Sequence, residues 1–142
     1  MILLDTDHLS VLKYPENAQR EYLVARLDAS LDRDIGTTIV NAEEQMRGWL
    51  AEINRQQIVQ QQIRSYERLQ KLLTFLGELR VMPFDTRSAE EFTRLRRMKV
   101  RIGSMDLKIA CITLVQSALL LSANLRDFRR VPGLQVENWL EE

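Results

Sequence analysis

Cysteine and histidine are nearly missing from this sequence: Cys111 and His8 are the only ones in 142 residues. A single cysteine excludes an intramolecular disulfide and any thiolate metal site, and it fits a reducing compartment. Cys111 lies inside an apolar run and reads as a packed core thiol. A single histidine argues against a His-based zinc centre and against a Ser/His/Asp triad. Charge of one sign is lacking too, since 20 Lys and Arg balance 20 Asp and Glu. The whole molecule is therefore not electrostatically committed to nucleic acid or membrane, and any basic binding surface must be local. No apolar run approaches the roughly 20 residues that span a bilayer. Met1 opens on a strand-like stretch rather than on a basic segment followed by a long apolar one, so a cytosolic protein is expected.

What the sequence does contain is alternating short apolar runs and helical periods. A composition of 45% hydrophobic and 28% charged residues predicts one domain over 1–142 with core enough to fold alone. Met1-Ile2-Leu3-Leu4 carries no polar interruption and reads as a strand buried on both faces, the pattern of a parallel sheet. A short helix starts near Asp7 or Ser10, and Pro15 is placed in the first turn of a second helix over 16–29. The β-branched stretch 35–40 predicts a second strand, ended by Asn41 as the cap of the next helix. From 42 to 76 the sequence is helical throughout, but the stripe Met46, Trp49, Leu50, Ile53 is out of phase with Val59, Ile63, Tyr66, Leu69, Leu73 and Leu76. That phase change predicts two helices, or a marked kink, near Gln57. Gly77 is read as a C-cap, 79–84 as a short edge strand, and Ser88 with Glu91 as a capping box. A nearly all-apolar helix over 105–115, a strand over 118–121, a turn at Val131-Pro132-Gly133 and a last edge strand over 134–139 complete the chain. Strands alternating with helices imply right-handed crossovers and a mainly parallel sheet with helices on both faces.

Acidic residues recur at corresponding places in this scheme. Asp5 follows the first strand, Glu43 and Glu44 open the helix after the second, Asp106 lies in the first turn of the apolar helix, and Asn124 and Asp127 follow the fourth strand. Parallel topology gathers strand C-termini on one edge, where α/β proteins hold their ligands. Any one of these acids alone fits helix capping or the helix dipole. Asp106 is the exception, because an unpaired charge opening an apolar helix is costly. Carboxylates gathered without Cys or His favour a hard cation, Mg²⁺ or Mn²⁺, over zinc, and such ions pair with phosphate oxygens. The chemistry expected on that basis is that of phosphodiesters or phosphates.

The stretches Leu3-Leu4-Asp5-Thr6-Asp7-His8-Leu9-Ser10, Glu44-Gln45-Met46-Arg47-Gly48, Ile102-Gly103-Ser104-Met105-Asp106-Leu107-Lys108-Ile109-Ala110 and Asn124-Leu125-Arg126-Asp127-Phe128-Arg129-Arg130-Val131-Pro132-Gly133-Leu134 resemble the PIN-domain nucleases, above all the VapC-type toxins of bacterial VapBC toxin–antitoxin pairs. The resemblance spans the chain in order. It implies a three-layer α/β/α sandwich and an Mg²⁺- or Mn²⁺-dependent endoribonuclease. Carried over by position, Asp5, Glu44 and Asp106 are the implied ligands. Glu44 is chosen over Glu43 for its distance from Gly48, and Asn124 or Asp127 stands at the fourth acidic position. Asp7 replaces the usual Asn. Partners implied are an RNA substrate, a VapB-type antitoxin and a second copy in a homodimer.

Thr6 and Ser10 either orient ligands or cap a helix, and His8 is read as a packing or hydrogen-bonding residue. Trp49 and Trp139 are read as core or interface anchors. Two basic clusters, Arg94, Arg96, Arg97, Lys99, Arg101 and Arg126, Arg129, Arg130, are expected to hold RNA phosphates. Two other functions remain open on sequence alone. One is a haloacid-dehalogenase-like phosphatase with Asp5 as nucleophile and Asp7 as acid/base. The other is a catalytically silent module whose acidic pocket receives a partner's arginine.

Overall fold

Ile2, Leu3 and Leu4 are all buried, and they form the strand on which the sheet is centred. In the computed structural model, which describes residues 1–141, five short strands make one sheet: β1 (Ile2–Leu4), β2 (Ile35–Thr38), β3 (Arg80–Met82), β4 (Leu119–Leu121) and β5 (Gln135–Glu137). Their order is β3-β2-β1-β4-β5, and every neighbouring pair is parallel, so the sheet is wholly rather than mainly parallel. Both predicted edge strands lie at the edges.

The helices are α1 (Thr6–Lys13), α2 (Gln19–Ala29), α3 (Ile39–Arg55), α4 (Val59–Gly77), α5 (Thr86–Arg97), α6 (Ser104–Val115) and the short α7 (Leu125–Phe128). The pleat divides them between two faces. Leu3 and Leu120 point into a core with Leu95 of α5 and Leu107, Ile109, Ala110 and Ile112 of α6. Ile2, Leu4 and Leu121 point the other way, onto Leu9 and Val11 of α1 and Leu23 and Leu27 of α2. This is a three-layer α/β/α sandwich. Cys111 belongs to the first core, and burial pushes its thiol up to about 12. Among the described residues, no helix is long and apolar enough to cross a membrane.

Several element boundaries differ from the sequence reading, each for a local reason. Helix α3 begins at Ile39, not after Asn41, because the Thr38 hydroxyl accepts from the Asn41 amide at 3.1 Å and caps the helix there. Ile39 and Val40 are β-branched yet helical, and Glu43 and Glu44 consequently lie beyond the first turn. Asp85, not Ser88, caps α5, accepting from Ser88 N at 3.0 Å, while Glu91 pairs with Arg94. Gly77 is the last residue of α4, and Glu78 takes the cap position. Helix α2 starts at Gln19 and leaves Pro15 in the preceding turn.

The break expected near Gln57 is present: α3 ends at Arg55 and α4 begins at Val59. No glycine is needed there, because Gln62 Nε2 donates to the carbonyls of Ile53 (3.1 Å) and Gln56 (2.9 Å) at the end of α3.

One glycine is demanded by packing. A Cβ on Gly36 of β2 would stand 2.4 Å from the backbone oxygen of Arg80 on β3, closer than real Cβ contacts come. Gly36→Ala is expected to cost about 1–3 kcal/mol, the usual range for overpacking. Urea unfolding measures this, and an unchanged midpoint would show that the β2–β3 edge yields freely.

Candidate functional site

The strand order reverses direction at β1: β2 and β3 extend one way, β4 and β5 the other. At such a switch point the loops leaving two adjacent parallel strands part, and the crevice between them is where α/β sheets place ligands. Here the loops follow β1, which supplies Asp5, and β4, which supplies Ser122 and Asn124.

Asp5 is 7% exposed. It is both the N-cap of α1 and the centre of a polar network. Its Oδ1 accepts from Thr6 N (2.9 Å) and Asn41 Nδ2 (2.7 Å), and its Oδ2 accepts from the Ser122 hydroxyl (2.6 Å). Asn41 is held in turn by the Thr38 hydroxyl, which donates to its Oδ1 at 2.7 Å, and Asn41 Nδ2 also donates to Thr6 Oγ1 at 3.2 Å. The Thr6 hydroxyl donates to Glu44 Oε2 at 3.1 Å, so one threonine joins α1 to α3. Glu43 instead pairs with Arg47 at 2.5 Å on the exposed side of α3.

Asp106 enters from the first turn of α6. Asn124 Nδ2 donates to Asp106 Oδ2 and to Asp127 Oδ2, each at 3.2 Å. The neutral Asn124 thus bridges the two acids. Asn41 and Ser122 both bond Asp5, yet the sequence reading takes Asn41 only as a helix cap and does not single out Ser122. A polar residue directly after a buried apolar strand marks Ser122 as it marks Asp5. A Thr three residues before Asn41 was the available cap signal.

Electrostatics follow from this crowding. Burial, and then the charge of Asp7, raise the Asp5 carboxyl above the ordinary range, against the bonds from Ser122, Thr6 and Asn41. Burial raises Glu44 also, with Asp5, Asp106 and Glu43 adding repulsion against the Thr6 hydrogen bond. Asp106 is raised by burial, then by Asp5, Asp127 and Asp7. Acidic neighbours thus add to burial at all three carboxylates. Among the described residues, however, no group of three or more acidic, His or Cys side chains stands close enough in this arrangement to hold a metal ion. The donors are all oxygen, and their mutual repulsion is what a hard cation relieves, so their chemistry fits Mg²⁺ or Mn²⁺.

The raised Asp106 has a testable consequence. An acid whose folded pKa exceeds its unfolded value binds more protons when folded, so stability falls as pH rises through that interval. Asp106→Asn preserves an acceptor for Asn124 and lacks the charge. In EDTA the variant is expected to melt above wild type at pH 7, with the gap closing as pH falls toward about 4, the ordinary Asp range. Discounted for partial exposure, the gap is up to about 1 kcal/mol, or roughly 3–4 °C. A gap of constant size across the titration, or none, would remove the repulsion argument.

The basic clusters are partly engaged. Arg94 pairs with Glu91 and reaches Met98 Sδ, and Arg96 lies over the Phe92 ring at 5.1 Å. Arg97 stands by Glu90 and Thr93 in a surface hollow of about 460 Å³. The chain turns off α5 through Lys99, at φ 62, with Val100 N bonded to Leu95 O at 3.1 Å. Arg130 donates to the Arg101 carbonyl at 3.1 Å, so the two clusters meet, and its guanidinium lies 3.8 Å from Asp127. Arg126 sits in α7 with Asp127, and Arg129 forms its C-cap. Trp139 is buried as expected, and Trp49 packs at the edge of the α3–α4 cluster.

No family model matches this chain. Ribonuclease VapC2 of Rickettsia felis is 34% identical over 73 residues, 49% of this chain and 54% of that protein. The tRNA(fMet)-specific endonuclease VapC of Salmonella typhimurium is 30% identical over 69 residues, 46% and 52% of the two chains. The chain thus spans about half the length of the curated relatives it matches.

Solved structures match along nearly the whole chain. VapBC-1 from nontypeable Haemophilus influenzae superposes with a TM-score of 0.72 at 22% identity, covering 99% of this chain and 100% of the other. VapBC2 from Rickettsia felis, bound to a DNA fragment from its promoter, gives 0.68 at 25% identity, covering 98% and 99%. FitAcB from Neisseria gonorrhoeae gives 0.72 at 23% identity, covering 100% of both.

Proposed function

We propose that this chain is a VapC-type PIN-domain endoribonuclease, the toxin of a toxin–antitoxin pair, acting with Mg²⁺ or Mn²⁺. The observation that supports the reading is the hydrogen-bond network at the switch point of the sheet, in which Thr6 bonds Glu44, Asn41 and Ser122 bond Asp5, and Asn124 bonds Asp106. Relatives named as ribonuclease and tRNA endonuclease support the reaction class.

Asp5, Glu44 and Asp106 would hold the ion, with the Asn124 and Asp127 pair beside them. When bound, the ion acidifies a water and neutralises charge at a phosphate. The chain's own residues do the remaining work. Thr6 and Asn41 fix one Asp5 oxygen and Ser122 the other, so the carboxylate has a single orientation. Asn124 keeps Asp106 and Asp127 from repelling one another out of place. Arg101, Arg126, Arg129 and Arg130, with Arg94, Arg96, Arg97 and Lys99 further along, supply cations for the RNA backbone. A VapB-type antitoxin is the proposed partner, as the related structures are VapBC complexes, and a homodimer is the proposed assembly.

A phosphatase with Asp5 as nucleophile is not favoured. Asp7, its required acid/base, has Oδ1 on His8 at 2.5 Å and Oδ2 on Ala123 N at 2.9 Å. A silent module has no specific support either.

Purified protein free of antitoxin is expected to cut RNA with Mg²⁺ or Mn²⁺ and to stop in EDTA. Cleavage that continues unchanged in EDTA would reject the metal, and no cleavage under any condition would reject the nuclease.

A further inference from the structure

His8 is fully buried, the only histidine in the chain, and absent from the ligand set above. Its ring nitrogens have distinct partners. Nε2 lies 3.1 Å from Trp139 N, which can only donate, so Nε2 must present a lone pair. The ring proton therefore sits on Nδ1 and points at Asp7 Oδ1, 2.5 Å away. Asp7 Oδ2 accepts from Ala123 N at 2.9 Å and lies 3.5 Å from the Ser122 hydroxyl. That loop supplies both Ser122, which donates to Asp5, and Asn124, which donates to Asp106. Asn124 N also donates to Ser122 Oγ at 3.0 Å, which ties the two loop residues together.

We propose that His8 is a positioning residue: clamped by the backbone after β5, it holds Asp7 against the loop after β4 and thereby aims Asp5 and Asp106. The segment after β5 at Trp139, in one buried cluster with Leu9 and Leu23 and with Arg26 4.6 Å over its ring, is in this way part of the site's support. His8 so placed deepens the nuclease reading, on which its kinetic consequence rests.

Two near-isosteres separate the two bonds. The amide nitrogen of Asn overlays Nδ1 and keeps a donor for Asp7, while leaving Trp139 N without an acceptor. The amide oxygen of Gln reaches the place of Nε2 and keeps the acceptor for Trp139, while losing the donor to Asp7. His8→Gln is expected to lower kcat about 10- to 100-fold, the usual effect of removing a group that orients a ligand, with KM unchanged. His8→Asn is expected to recover most of that kcat while melting at a lower temperature than His8→Gln. A merely structural histidine would make both losses follow melting temperature, and that result, or an unchanged kcat in His8→Gln, overturns the role.

Nitrogen-15 NMR of the imidazole tests the geometry independently, and with one histidine in the chain there is one ring to assign. A proton on Nδ1 supports the clamp, and a proton on Nε2 overturns it whether or not the protein cuts RNA. A wild type that cuts nothing with Mg²⁺ or Mn²⁺ rejects the nuclease function and the kinetic role with it, leaving the clamp to the spectrum.

Discussion

Asp5→Asn is expected to lower RNA cleavage by more than about 100-fold while the protein stays folded. Losing a residue that merely orients a ligand costs about 10–100-fold, and Asp5 is the proposed ligand at the centre of the network, bonded to Thr6, Asn41 and Ser122. Asn at this position retains one oxygen and fills the same volume, so the cap of α1 and the packing of β1 survive. Stability at neutral pH should hold or rise, because Asp5 is an acid held above its ordinary range by burial and by Asp7. Initial cleavage rates and a thermal melt on the same sample check both halves. Cleavage within a fewfold of wild type would remove Asp5 from the chemistry, and a collapsed melt would show that its capping role dominates.

Leu3→Ala is expected to cost about 3–5 kcal/mol, the upper part of the range for leucine truncations in a tight core. Leu3 is 0% exposed on the central strand, pleated into the core with α5 and α6. Neighbours on both sides of β1 are tied by parallel pairing, so the cavity cannot close without shifting β2 or β4. Against a total of about 5–15 kcal/mol, that is a large share of the stability. It corresponds to a fall in Tm of more than about 10 °C for a chain of this size. Leu31→Ala is the control, since Leu31 is fully exposed and its loss should change little. A Leu3→Ala loss near 1 kcal/mol would mean that the sheet centre is loosely packed.

Much of the fold was legible because burial on both faces leaves a mark that needs no partner to be seen. The runs at 2–4 and 119–121 are apolar throughout, as central parallel strands must be, and the phase change near Gln57 followed from helical period alone. Boundaries were less legible. Ile39 and Val40 carry β-branched side chains whose preference yields to the cap that Thr38 provides, and nothing local ranks one against the other.

The residue types of the site were set by the sequence. An acid after each of two strand–helix steps, one opening an apolar helix, and hardly any nitrogen or sulfur ligands limit the chemistry to oxygen donors before any coordinates are known. Which atoms face one another is a different matter, because it depends on contacts 36 and 117 residues apart, such as Asn41 and Ser122 on Asp5. Hydrogen-bond partners across such separations leave no periodic trace in one chain. Only folding could show that Glu44 bonds Thr6 while Glu43 pairs with Arg47, and that His8 bonds the backbone of Trp139, 131 residues away.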